Sequence, residues 1–252
     1  MIKLEDLSCG YGKKIILNHL DACFQENSIN VIIGKNGCGK STLLKTIAGL
    51  NKSYTGKIFV DGKNVENINK KQLAKIIAYM PQIRHIPSMS VEEFLMCARY
   101  PYIGMFNNPE KNDYIAVEEA MELVGIQDFR NRNLKRLSGG ERQKVYFAFM
   151  LAWEANYLLL DEPTTFLDVE KQFEVLELID ILKNKGKTVV MVIHDICHGL
   201  KIADKIFCVN DGCINAFNNA DELIESNLIQ DIYNVKLHTV TVEGKKEYII
   251  VK

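Results

Sequence analysis

No charge of one sign dominates this chain of 252 residues, in which 31 Lys and Arg face 32 Asp and Glu for a formal net charge of -1. That balance lacks the basic excess of a protein built to bind nucleic acid or an anionic membrane surface. Long apolar runs are missing as well. The longest, Val145 to Trp153, is far short of a bilayer span, and the opening Met1-Ile2-Lys3-Leu4-Glu5-Asp6 has no signal-peptide core. We therefore expect a soluble, cytoplasmic protein. Cysteines stand at 9, 23, 38, 97, 197, 208 and 213. Their odd number and the lack of a C-x-x-C pair argue against a disulfide framework or a structural zinc site. Most have apolar neighbours and read as buried small side chains. With 47% hydrophobic and 25% charged residues, the chain is ordinary globular material, enough for one large domain or one domain carrying an insert.

What is present centres on Gly34-Lys35-Asn36-Gly37-Cys38-Gly39-Lys40-Ser41-Thr42, which fits G-x-x-x-x-G-K-[ST]. It follows the apolar run from Ile29 to Ile33 and precedes Thr42-Leu43-Leu44-Lys45-Thr46-Ile47-Ala48. Strand, glycine-rich loop and helix is the setting that gives this motif its meaning. The glycines open backbone angles closed to other residues, so that amides converge on phosphate oxygens at a helix start, where the dipole favours anions. Lys40 adds a point charge for the outer phosphates, and Ser41 offers a hydroxyl to Mg²⁺. Cys38 reads as a position tolerant of its side chain, although a helix start can lower a thiol pKa.

Along the rest of the chain, residues 1–30 read as strands around Gly10-Tyr11-Gly12. Tyr11 there is either a turn aromatic or a ring that stacks on a base. Tyr54 to Gly62 reads as a strand closed by an Asp-Gly turn. Lys70 to Ala78 reads as a helix, with Ile76 to Met80 turning into a strand that ends at Pro81-Gln82. Between 86 and 156 strand signals vanish. Ser90 caps a helix that Arg99-Tyr100-Pro101-Tyr102-Ile103-Gly104 breaks, Tyr114 to Val124 is a second helix, and the region reads as a helical insert. Leu137-Ser138-Gly139-Gly140-Glu141 then opens the apolar helix 145–153, with Ser138 as cap and glycine amides exposed, a second anion-binding helix start. Tyr157 to Leu160 is apolar enough for a strand buried on both faces, and it ends in Asp161-Glu162. Adjacent carboxylates there are costly to bury without a cation or a shared proton. The strand-end Asp suits the water shell of Mg²⁺ and Glu162 suits orienting or deprotonating water. Thr188 to Ile193 is a similar strand, delivering His194 to the same edge.

Together these residues resemble the ATP-binding subunit of an ABC transporter, over essentially the whole chain and in the family's order. Gly34 to Thr42 matches the Walker A loop, Gln82 the Q-loop glutamine, Leu137 to Glu141 the LSGGE signature, and Tyr157 to Asp161 the Walker B strand. Glu162 matches the catalytic glutamate, Phe166-Leu167-Asp168 the D-loop, His194 the switch histidine and Tyr11 the adenine-stacking aromatic. The resemblance implies an α/β fold: a P-loop NTPase (RecA-like) core, residues 1–85 and 157–252, with an N-terminal antiparallel β subdomain and an inserted α-helical subdomain at 86–156. It implies a nucleotide held by Tyr11, Gly34, Lys35, Asn36, Gly37, Cys38, Gly39, Lys40, Ser41, Thr42 and Gln82. Mg²⁺ would be held by Ser41, Gln82 and Asp161, and hydrolysis would rest on Glu162, His194 and Lys40. Ser138, Gly139, Gly140 and Glu141 would address the ATP of a second copy in a head-to-tail homodimer, with Asp168 between the two.

The resemblance further implies an integral membrane permease that holds the subunit on the cytoplasmic face, and a solute-binding protein in the complete system. The permease's coupling helix would dock near Gln82 and the helical insert. Arg99 to Gly104 is similar to a segment of importers for iron–siderophore, haem and vitamin B12, with Ala98 where that group usually has Gly. The stretch from Glu222-Leu223-Ile224 to Ile232-Tyr233-Asn234-Val235 is similar to that group's C-terminal helix and short strand. Iron–siderophore uptake is the first expectation. Lys35 replaces a common proline, Phe166 a small or polar residue, and Gly199 is expected to weaken its helix by about 1 kcal/mol relative to Ala. The competing reading is an ATPase of the same superfamily with soluble partners, as in iron–sulfur cluster assembly. A chromosome-type ATPase would need a long coiled coil between loop and signature, and a translation-associated one would need two cassettes.

Overall fold

The structure, a computed structural model, describes residues 1–82, 85–103 and 107–252. Gly104 of the sequence-predicted helix break lies outside the described residues. In chain order the elements begin with β1 (Ile2–Tyr11), β2 (Lys14–Phe24), β3 (Ile29–Gly34), α1 (Lys40–Ile47), β4 (Tyr54–Val60) and β5 (Lys63–Asn64). Next come α2 (Lys70–Ile76), β6 (Ile77–Met80), α3 (Val91–Cys97), α4 (Tyr100–Ile103), α5 (Lys111–Val124) and α6 (Gly139–Ala152). The chain closes with β7 (Tyr157–Asp161), α7 (Val169–Asn184), β8 (Thr188–Val192), α8 (Ile196–Ile202), β9 (Lys205–Asn210), β10 (Cys213–Phe217), α9 (Ala220–Glu225), α10 (Leu228–Tyr233), β11 (Lys236–Val242) and β12 (Lys245–Val251).

Three sheets result. The central one has the order β10-β9-β3-β8-β7-β6. Every pair from β9 to β6 is parallel, and only β10 joins antiparallel. β3, β7 and β8 are buried along almost their whole length, as parallel strands covered on both faces must be. The second sheet, β2-β1-β4-β5, is wholly antiparallel. The third is the hairpin β11-β12. The chain is thus an α/β P-loop fold with an antiparallel β subdomain.

One cluster of buried side chains covers the face of the central sheet that carries Val31, Leu158, Leu160 and Met191, together with α7 and α10. A second lies between the two sheets and α1. A third joins α3, α5 and α6 through Val91, Leu95, Val117, Met121, Val145 and Ala148. α3 starts on the expected Ser90, with a capping box to Glu93. The predicted break after it is a tight corner containing the short helix α4. Buried Arg99 holds this corner, donating to Asp113 at 3.0 Å, to the Ala152 carbonyl at 2.7 Å and to Glu154 at 2.6 Å, with its guanidinium 4.2 Å from the Tyr102 ring centroid.

Several expectations need correction. The helix expected to reach Ala78 stops at Ile76, because Ile77 to Met80 pair with β7. By contrast, Ser138 caps the helix that carries the apolar run 145–153, as expected, through a capping box with Glu141, and that helix ends at Ala152. The C-terminal helix and short strand are two helices and a full hairpin. Only Cys9 and Cys208 are buried, whereas Cys213 is exposed and the other four are intermediate. Gly199 in α8 sits at a close approach. A Cβ there would stand 2.6 Å from Ile193 Cγ2 and 3.2 Å from Val31 Cγ1, so glycine lets the helix lie against β3.

Candidate nucleotide site

The parallel strands aim their C-terminal ends the same way, which brings the sequence-predicted groups to one edge. The loop follows β3, Gln82 follows β6, Asp161 ends β7 and His194 follows β8. A cleft of about 380 Å³ is lined there by Ile16, Asn36, Gly37, Gly39, Lys40, Ser41, Thr42, Gln82, Glu162 and His194. Gly39 has φ 108° and precedes the first helical residue. A Cβ on it would come within 3 Å of Ile16 and Leu17, so the loop needs glycine for both conformation and space. Lys40 folds back under the loop and donates to the Gly34 carbonyl at 2.6 Å and the Lys35 carbonyl at 2.8 Å. Cys38 Sγ lies 3.9 Å from the same ammonium.

Asp161 is 2% exposed. Ser41 donates to its Oδ1 at 2.9 Å and Tyr79 donates to its Oδ2 at 3.0 Å. Burial pushes the Asp161 carboxyl above the usual carboxylate range, and the Ser41 and Tyr79 donors only partly offset it. Burial and the Asp161 charge push the Tyr79 phenol well above its ordinary value, which keeps it a donor. Glu162 stands in the left-handed region, φ 51°, a conformation that costs a non-glycine residue about 1 kcal/mol or more and that clusters at functional sites. Its Oε2 accepts from Gln82 Nε2 at 2.5 Å and Thr165 Oγ1 at 2.9 Å. The loop after it is tied down by buried Gln143, which donates to the Pro163 carbonyl at 2.6 Å.

Gln82, expected beside a cation, faces Glu162 through its amide nitrogen. Tyr11 ends β1, is 50% exposed and does not line the cleft. Ser138 and Gly139 lie exposed at the start of α6. Ser138 Oγ accepts the Glu141 amide, while Glu141 accepts the Ser138 amide at 2.7 Å. None of Ser138, Gly139, Gly140 or Glu141 lines the phosphate cleft of the same chain. A second, smaller hollow joins Gly139 and Arg142 to Gln82, Glu162 and Phe166. Asp168 caps α7, accepting the Lys171 amide at 2.9 Å. Sequence reasoning missed Ile16, Tyr79, Thr165 and Gln143. The available signal for Tyr79 was its place two residues after Ile77 on a strand, hence on one face with it.

Residues 17–165 match the ABC transporter family. The chain belongs to that family. It is 34% identical over 242 residues to the iron(3+)-hydroxamate import ATP-binding protein of Bacillus subtilis (strain 168), covering 95% of this chain and 90% of the relative. It is 35% identical over 234 residues to the ferric enterobactin transport ATP-binding protein of Escherichia coli (strain K12), covering 92% of this chain and 86% of the relative. A solved metal-chelate type ABC transporter in an inward-facing conformation superposes with a TM-score of 0.86 at 26% identity, covering 100% of this chain and 97% of that one. The chain is thus an ATP-binding subunit of the ABC family, a class that binds and hydrolyses ATP. Among the described residues no helix is long and apolar enough to cross a membrane.

Proposed function

We propose that this chain hydrolyses MgATP in a head-to-tail homodimer to drive uptake of an iron–siderophore-type solute through an integral membrane permease. The observation that carries the chemistry is the convergence of Lys40, Ser41, Gln82, Glu162 and His194 on one cleft. Support for the cargo comes from relatives that are themselves iron(3+)-hydroxamate and ferric enterobactin transport proteins. We assign residues 86–156 to a helical subdomain and the remainder to the nucleotide-binding core.

In this reading the amides from Asn36 to Ser41 cradle the β-phosphate at the start of α1, and Lys40 neutralises the outer oxygens. Ser41 and Asp161 are hard oxygen donors of the kind Mg²⁺ takes alongside phosphates and water. When bound, Mg²⁺ supplies charge neutralisation on the β- and γ-phosphates. Glu162, fixed in rotation by two donors on one oxygen, polarises the attacking water, and His194 holds the γ-phosphate. Tyr11 stacks on the base. The signature turn, Ser138 to Glu141, offers its amides to the ATP of the second copy, and Asp168 lies between the copies. A solute-binding protein completes the system, and docking on the permease places the subunit on the cytoplasmic face of the membrane.

Glu162→Gln should lower ATP turnover by about 10²-fold or more and leave ATP affinity intact, read by phosphate release and equilibrium binding. Normal turnover by that variant would remove Glu162 from its role. Purification from detergent-solubilised membranes should bring down an integral membrane subunit. Recovery of soluble partners alone would favour an ATPase of iron–sulfur assembly. Uptake of labelled ferric siderophore, haem and vitamin B12 in cells with and without the gene would then identify the cargo.

A further inference from the structure

Each oxygen of the Asp161 carboxylate accepts from its own donor, and the reason lies in the neighbouring strand and in α1. β6 and β7 run parallel, with Ile77 opposite Tyr157 and Tyr79 opposite Leu159. Alternation puts Ile77, Tyr79, Tyr157 and Leu159 on one face, where all four belong to or pack against the cluster beneath α1, and carries Asp161 to the same face. Tyr79 therefore leans along its strand and delivers its hydroxyl to Asp161 Oδ2 at 3.0 Å. On the other side Ser41, from the first turn of α1, takes Oδ1 at 2.9 Å. The carboxylate is held between two donors with its plane set by both. Rotation about its last bond would break the Tyr79 bond in a nearly dry environment, where leaving a charged acceptor unpaired is expensive.

Cations differ in what they ask of a carboxylate. Ca²⁺ takes six to eight oxygens in flexible geometry and often engages both carboxylate oxygens, whereas Mg²⁺ demands near-ideal octahedral geometry and keeps several waters. A carboxylate whose second oxygen is tied to a phenol can serve the second kind of ion and resists the first. We propose that Tyr79 is a positioning residue that holds Asp161 to a single-oxygen presentation and thereby sets the preference of this nucleotide site for Mg²⁺ over Ca²⁺. The proposal rests on the reading that Ser41 and Asp161 face the cation of the bound nucleotide.

The test measures affinity for a fluorescent ATP analogue in excess EDTA, in Mg²⁺ and in Ca²⁺, on the full chain. The wild-type protein should gain more affinity from Mg²⁺ than from Ca²⁺. In Tyr79→Phe, which keeps the ring and its packing, the Mg²⁺-to-Ca²⁺ ratio should fall about tenfold, the size of one hydrogen bond to a charged group, while affinity in EDTA stays put. A merely structural tyrosine would change all three affinities together and leave the ratio alone, and an unchanged ratio overturns the proposal. Asp161→Asn is the control: it should lose the gain from both cations. If it keeps that gain, the metal-site reading itself fails, separately from the tyrosine. The double variant guards against a folding defect. Tyr79→Phe added to Asp161→Asn should change the ratio no further, so additive effects of the two substitutions also count against the proposal.

Discussion

Lys40 is only 7% exposed, and its ammonium is held by two loop carbonyls. Those carbonyls hold the charge beneath the loop. Lys40→Ala should weaken ATP binding about 10- to 100-fold, the worth of charge-assisted hydrogen bonds to the outer phosphates. Lys40→Arg should be nearly as weak, because a planar fork cannot replace a point charge in that space. Equilibrium titration with a fluorescent nucleotide reads both, and wild-type affinity in the alanine variant would contradict the loop argument. Lys40, Ser41, Asp161 and Glu162 were all legible from the motif and the strand ends. Tyr79 and Thr165 were not, since alternation with Ile77 gives Tyr79 a face but no partner, and a threonine in a loop has no pattern until a carboxylate is placed beside it.

Among the elements, α6 and α8 carry the clearest tests. The start of α6 is closed by Ser138 and Glu141, and the hydrogen bond from the Ser138 amide holds the Glu141 carboxyl below its usual range. A depressed carboxylate pKa contributes stability that is present above the unfolded value and lost as pH falls through the folded value. Hydrogen exchange in the first turn of α6 should therefore accelerate as pH drops below the ordinary carboxylate range, after correction for intrinsic rates. Glu141→Gln, which can still accept the amide, should flatten that dependence; equal acid sensitivity in both proteins would dismiss the capping box as its source. For α8, helix propensity favours Gly199→Ala by about 1 kcal/mol, but the packing against Ile193 and Val31 opposes it with an overpacking cost of about 1–3 kcal/mol. We expect a lower Tm. A raised Tm would mean that α8 is free to move away from β3. The helices themselves were readable from caps and periodicity, while the tightness of this contact depends on two strands distant in sequence.

For the whole molecule, the groups assigned to a second copy all keep some exposure, Gly140 and Glu141 being partly buried. Ser138, Gly139 and Asp168 are open to solvent, and Phe166, in the left-handed region with φ 66°, is 90% exposed near Val169 at 66%. An aromatic held so far from its own core has much to gain from burial against another surface. In the presence of ATP, Glu162→Gln should shift from monomer to dimer by light scattering, and adding Phe166→Asp should abolish the shift while nucleotide binding by the single chain persists. A dimer that forms equally well with Asp at that position would place the contact elsewhere.

The phosphate loop, the signature turn, the strand ends that carry Asp161 and His194, and membership of the α/β P-loop class were all determined by the sequence alone. Each is written in contiguous residues, where glycine conformations, cap chemistry and the period of apolar side chains are local properties. Tertiary structure alone decided which face Asp161 shows, because its partners Ser41 and Tyr79 lie 120 and 82 residues away. It also decided that Gln143 steadies the loop after Glu162 and that Arg99 locks a corner between helices. Such contacts depend on strand register and helix placement, and a change of one residue in register would turn each strand side chain among them to the opposite face.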